Sequence, residues 1–249
     1  MNKSKALFMF LLLVVFSCSK NPCDKLENDV YIYPEAKGKS FEEAIEIYKI
    51  PEHVLQCIST EGLIKSCLTY PEMRLIWTRN SLQAGFDYIE RLCNGFNELW
   101  MREDKSHALI DLYLLLDIER EWTSYTTLEN GRYIDNIIRH ELILAQDEIL
   151  LDLTEQQKLA LFQLVLENQN LKEKHQKRYG TIGKASSAAI LSRIMYNDKY
   201  QPLLEEYENS SKMRESVIYI TRIYEDTIKK IMTLSEEYLE ILKNKTNDN

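Results

Sequence analysis

Asp104, His107 and Asp111 stand at i, i+3 and i+7, a spacing that places two carboxylates and an imidazole on one face of a helix. Such a trio would hold a divalent metal or serve general acid–base chemistry. Asp111 is the odd member, set between Ile110 and Leu112 in the apolar stretch 104–118. A plainer reading puts it at the edge of the buried surface, bonded to His107 or to a neighbouring arginine. His107 and Asp111 are the weak catalytic candidates. The second set is basic: Lys172, Lys174, Lys177 and Arg178 cluster in an otherwise acidic chain. They would bind an anionic glycan, a phosphate or a lipid head group. The competing account is that cations near a helix C-terminus complement the helix dipole.

Other motifs fall short. His140-Glu141 begins like a zincin helix, but Leu144 stands where the second histidine belongs. Gly180-Thr181-Ile182-Gly183-Lys184-Ala185 fails as a phosphate loop. Arg178 replaces its first glycine, Ala185 replaces the magnesium-binding hydroxyl, and no strand precedes it. No G-x-S-x-G elbow is present. Cys23, Cys57, Cys67 and Cys93 contain no C-x-x-C pair, so a structural zinc site is not expected. An even count in an exported chain permits disulfides and leaves three complete pairings open. Cys57 and Cys67 sit in apolar helical sequence, where a free thiol acts as a small hydrophobe. Trp77, Trp100, Trp122 and the tyrosines would line a carbohydrate or peptide groove, though most are expected in or beside the core. No cofactor and no metal is expected.

The N-terminus carries the strongest signal. Lys3 and Lys5 precede an apolar run from Ala6 to Phe16, and Ser17-Cys18 follows. Eleven apolar residues fall short of the ~20 that span a bilayer. A small residue before cysteine at the end of such a run resembles a bacterial lipobox. That resemblance implies a signal peptide over residues 1–17 and a lipid-modified Cys18. Val15 departs from the usual leucine and Phe16 is bulkier than the pattern prefers. Ordinary secretory cleavage after Ser19 is the alternative. Residues 1–17 hold two lysines and no acid, so the remainder carries 29 basic against 39 acidic residues, a formal net charge of −10. That balance argues against nucleic acid, whose phosphates must be neutralised for binding. It argues equally against a lysine patch as the membrane attachment; the lipid would supply it.

Seven glycines and five prolines in 249 residues are too few for the turns of a sheet-rich fold. The expectation is an all-α protein, a helical bundle or α-solenoid-like array of nine to eleven helices with no substantial sheet. Residues 18–39 read as a tether, with Val30 to Tyr33 as a strand-like docking segment. The helical domain spans 40–249, with subdomains 40–120 and 131–249 separated by the polar run Glu119 to Gly131. Ser40 with Glu43 and Thr154 with Gln157 form capping boxes. The helix opened by Thr154 is expected to run to Tyr179-Gly180. Ile134, Ile138, Leu142, Ala145 and Ile149 make one apolar stripe. Val217, Tyr224, Ile231 and Tyr238, with Ile220, Thr227, Leu234 and Ile241, form a heptad seam. It suits either a bundle helix or a coiled-coil dimer.

Two sets of residues carry a wider likeness. One is Ile58 to Pro71, with Gly85-Phe86-Asp87, Asn94 to Leu99, Arg102 and Asp104. The other is Leu144-Ala145-Gln146-Asp147, Tyr179-Gly180 and Ser192-Arg193-Ile194. Across residues 45–200 they resemble an uncharacterised family of exported bacterial all-helical proteins, many of them lipoproteins. The resemblance implies helices and an envelope location and brings no activity. The expected function is therefore a non-enzymatic cell-envelope lipoprotein binding a protein or peptide between helices. An envelope hydrolase using His107 and Asp111, or a structural dimer through the heptad seam, is the alternative. The membrane face, inner or outer, is left open.

Overall fold

The computed structural model of the chain describes residues 26–220 and 224–247, and helices dominate them. Cys18, Cys23 and the signal segment lie outside the described residues. The expected all-α architecture is present. Thirteen α-helices and one 3-10 helix occur among the described residues, beside a two-stranded sheet of two residues per strand. The number exceeds nine to eleven because one or two residues divide neighbouring helical stretches. Cys93 parts α4 (Leu82–Leu92) from α5 (Asn94–Met101). Ala145 and Gln146 part α7 (Thr127–Leu144) from α8 (Asp147–Leu150). Ser210 parts α11 (Gln201–Asn209) from α12 (Ser211–Tyr219).

Local chemistry sets many of these boundaries. Ser40 caps α1 (Phe41–Ile47) and Thr154 caps α9 (Glu155–Lys174), each through the reciprocal bonds of a capping box. A third box, Thr126 with Glu129, opens α7 inside the polar run that reads as a separator. Pro51 caps the short α2 (Glu52–Leu55), and Ser59 caps α3 (Thr60–Leu68) by accepting from the Gly62 amide. Pro71 then starts the 3-10 helix Pro71–Thr78. The helix opened by Thr154 ends at Lys174, earlier than expected, and α10 (Gln176–Asn197) begins after His175. Gly180 interrupts α10 with φ +58° and ψ −175°, a left-handed excursion that glycine adopts without a Cβ clash.

Packing merges the two expected subdomains. α9 and α10 lie together, α13 (Glu225–Asn247) rests on both, and α10 also meets α7. α7 in turn contacts α3, α4 and α6 (Lys105–Leu114). One buried cluster runs from Tyr31 to Leu242 through both halves. A satellite cluster of Ile118, Trp122, Ile137 and Tyr179 closes the polar run onto α7 and α10, so that run belongs to the domain. The stripe of Ile138, Leu142, Ala145 and Ile149 is buried.

Three expectations are corrected here. The tether is docked from Leu26 onward: β1 (Leu26–Glu27) and β2 (Val30–Tyr31) pair, and the Tyr31 amide donates to Ser66 Oγ at 2.9 Å. Gly62 permits this, since a Cβ there would fall 2.0 Å from the Asp29 carbonyl oxygen. The heptad seam is not one helix. Val217 lies in α12, Ile220 ends it in the left-handed region, and α13 starts at Glu225. Its members Val217, Ile220, Ile231, Leu234 and Tyr238 are buried within this domain, so they offer no dimer face. Finally, the apolar stretch 104–118 is not buried on every side: Asp111, Leu114 and Leu115 are exposed.

Candidate functional site

The chain brings its polar groups together most densely where α4, α8, α10 and α12 meet. A cleft of about 460 Å³ opens there. Its lining includes Gln83, Asp87, Gln146, Asp147, Glu148 and Arg193, with Glu90 at one side. Tyr196 and Tyr207, their ring centroids 4.9 Å apart, and Val217 with Ile218 give it apolar walls. A neighbouring hollow shares Asp147 and Glu148 and extends the groove past Trp100, Leu151 and Asp152.

Arg193 organises the cleft floor. Its Nη1 donates to Ala145 O at 2.7 Å and its Nε to Val217 O at 2.8 Å. Its Nη2 donates to Ile218 O and to Gln83 Oε1, both at 2.8 Å. Three of these acceptors are carbonyls at the ends of α7 and α12, groups a helix terminus leaves unsatisfied. Burial lowers the Arg193 pKa from its ordinary value, and the fields of Asp147, Asp87 and Glu148 oppose that.

The carboxylates are arranged differently. Gln83 Nε2 donates to Asp87 Oδ1 at 2.6 Å, Asn197 Nδ2 to Asp147 Oδ1 at 3.3 Å, and Trp100 Nε1 to Glu90 Oε1 at 2.7 Å. These donors are neutral. None of Asp87, Glu90, Asp147 and Glu148 forms a salt bridge among the described residues. Burial raises the Glu90 pKa, the Trp100 bond opposes it, and Glu148 and Asp87 raise it further. The cleft therefore holds negative charge against a cation already committed to backbone oxygens. Among the described residues no group of three or more His, Cys, Asp or Glu is disposed to hold a metal ion.

The sites expected from spacing alone fare less well. His107 Nε2 and Asp111 Oδ2 are 3.4 Å apart, but both side chains are exposed. Asp104 turns away to accept from Thr60 Oγ1 at 2.6 Å. The trio lines a shallow hollow with Ser59 and Leu115 and converges on no common point, so the pair forms a surface bridge. The basic cluster is also divided. Lys172 is fully buried and belongs to the core; Lys174, Lys177 and Arg178 remain outside, and Arg178 stacks over Trp122 at 5.1 Å. An anion site built on all four is thus corrected.

Lys172 instead meets Glu141, which also has no exposed side-chain surface. Its ammonium donates to Glu141 Oε1 and Oε2 at 2.5 and 2.6 Å, to Gly183 O at 2.8 Å and to Ser187 Oγ at 2.6 Å. Glu141 further accepts from Tyr113 at 2.6 Å, Ser186 at 2.5 Å and Ser187 at 2.9 Å. Burial lowers the Lys172 pKa and the Glu141 charge opposes it. Sealed in the core, the network joins α6, α7, α9 and α10. His140, beside it in sequence, is buried with Nδ1 2.8 Å from Asn136 O.

Burial holds His140 below its ordinary pKa of 6.5. The unfolded chain therefore binds this proton at a higher pH than the folded one, and stability falls as pH drops below 6.5. Urea midpoints measured from pH 7.5 to 5 are expected to decline less steeply for His140→Gln than for the wild type. Equal slopes would remove His140 as the cause.

Cys67 and Cys93 are free and buried. Cys57 is disulfide-bonded, which corrects its reading as a free apolar filler. No helix among the described residues is long and apolar enough to cross a membrane. Comparison with known proteins gives no match to any family model, curated protein or solved structure. The cleft was missed because its members are far apart in sequence.

Proposed function

We propose that this chain is a cell-envelope lipoprotein, anchored through Cys18, whose helical domain binds a basic segment of a protein or peptide. The observation that carries the binding reading is the set of four carboxylates around the Arg193 cleft that form no salt bridge among the described residues. A lysine or arginine entering there would meet negative charge, and its aliphatic stem would lie on Tyr196, Tyr207 or Trp100. Charge complementarity of this kind favours encounter and selects against acidic partners. The groove's continuation past Asp152 suits an extended segment better than one small amine. The anchor rests on the N-terminal sequence.

A fluorescent peptide alternating lysine and leucine is the probe. Asp147→Asn with Glu148→Gln is expected to weaken its binding about three- to tenfold at low salt, the scale of two solvent-accessible ion pairs. Anisotropy titrations at two salt concentrations measure it. Equal affinity for an alternating glutamate–leucine peptide would defeat the reading. The anchor is tested separately in bacterial cells. Wild-type protein is expected to incorporate labelled fatty acid and partition into detergent, whereas Cys18→Ser should not be labelled. Equal labelling would rule out Cys18.

A further inference from the structure

Two thiols lie together in the core, away from the cleft. Cys67 comes from α3 and Cys93 from the junction of α4 and α5. Both sulfurs lie beside the same point, the position that a side chain at Gly95 would occupy. Gly95 provides the space: a Cβ there would stand 2.8 Å from Cys67 Sγ and 3.5 Å from Cys93 Sγ. The Phe96 amide, at the start of α5, donates to the Cys93 carbonyl at 3.2 Å, and no side-chain cap closes this helix end. The Tyr33 hydroxyl is 4.0 Å from the Cys93 sulfur and donates to Ser66 O at 3.1 Å. Cys93 thus stands at the open N-terminus of α5, a more polar setting than an apolar filler requires.

The cover over the pair is local. Tyr33 belongs to the docked N-terminal arm, and its ring stands edge-on to Tyr31, Tyr48 and Tyr70. The arm is held by the Tyr31 amide on Ser66 and by the contact of Ser59 with Asp29. Its two-residue strands present little paired backbone, so its release needs less disruption than opening a helix.

We propose that Cys67 and Cys93 form a reversible dithiol–disulfide site, covered by the N-terminal arm, that reacts with small or protein-borne disulfides. Cys93 loses its proton and attacks one sulfur of the oxidant, whose second sulfur leaves as a thiolate and takes that proton. Cys67 then loses its proton and attacks the Cys93 sulfur of the mixed disulfide, releasing the remaining thiol. Two cysteines are oxidised and one external disulfide is reduced to two thiols. Cys93 is the attacking thiol. It stands at the N-terminus of α5, where the helix dipole and open amides favour a thiolate, whereas burial raises the Cys67 thiol pKa.

The test uses the full chain and oxidised glutathione. After incubation the protein is denatured, alkylated and mapped by mass spectrometry, in the wild type and in Tyr33→Ala. The expected result is loss of alkylation at both Cys67 and Cys93, with a linked peptide pair that reductant restores. Faster oxidation in Tyr33→Ala would identify the arm as the cover. Cys67→Ser should retain glutathione on Cys93, because no second thiol can displace it. Both thiols fully alkylated in the wild type and in Tyr33→Ala would overturn the proposal. So would glutathione held on Cys93 of the wild type without a link to Cys67.

Discussion

Lys172→Met is expected to lower the unfolding free energy by about 3–5 kcal/mol, the usual cost of stranding one partner of a buried ion pair. Glu141 would keep Tyr113, Ser186 and Ser187 as donors but lose its only ionic partner within bonding distance, in a site without solvent. Gly183 O and Ser187 Oγ would also lose the ammonium. Adding Glu141→Leu should recover part of this, since no charge then remains buried. Full recovery is not expected, because three hydroxyls lose their acceptor. Urea midpoints with an unchanged denaturant slope provide the measurement. A single variant as stable as the wild type would mean that the network contributes nothing net.

Arg193→Met is the second large effect. Its guanidinium joins the end of α7, the end of α12 and Gln83 of α4. Removal leaves three backbone carbonyls to be satisfied by whatever water enters the cleft, at a cost of about 2–3 kcal/mol. Arg193→Lys should rescue little, because one ammonium cannot reproduce a planar fork reaching four acceptors. Hydrogen exchange would distinguish local from global loss: amides of residues 213–220 should exchange faster than those of α3 or α9. Uniform exchange across the domain would show that Arg193 does not pin α12 specifically.

Much of the architecture was legible because local chemistry announced it. Ser40 and Thr154 cap helices where their spacing to Glu43 and Gln157 says they should. Of the stripe, Ile138, Leu142, Ala145 and Ile149 are buried and Ile134 is half-buried. Thr126-Thr127-Leu128-Glu129 carried the same cap signal and was overshadowed by the polar composition around it. The break at Cys93 falls beside the Asn94-Gly95 pair, whereas those at Gln146 and His175 have no adjacent glycine or proline to mark them. The candidate chemistry was less legible still. Side chains sharing a helix face, such as His107 and Asp111, are visible in spacing, but here that face points to solvent. Lys172 read as one cation among four neighbours, and only its distant partner Glu141 places it in the core.

The bond from Arg193 to Gln83 spans 110 positions. Contacts of such long sequence separation close late in folding, after helical hairpins such as α9–α10 have repaid part of the loop-closure entropy. The cleft is therefore a product of completed assembly: a chain that stalls before α10 and α12 dock has its acidic residues but no pocket. A ligand gripped there would bind only the finished fold, and mass action would draw the whole domain toward it. Occupancy of the cleft would thus report maturation of the protein as well as the presence of a partner.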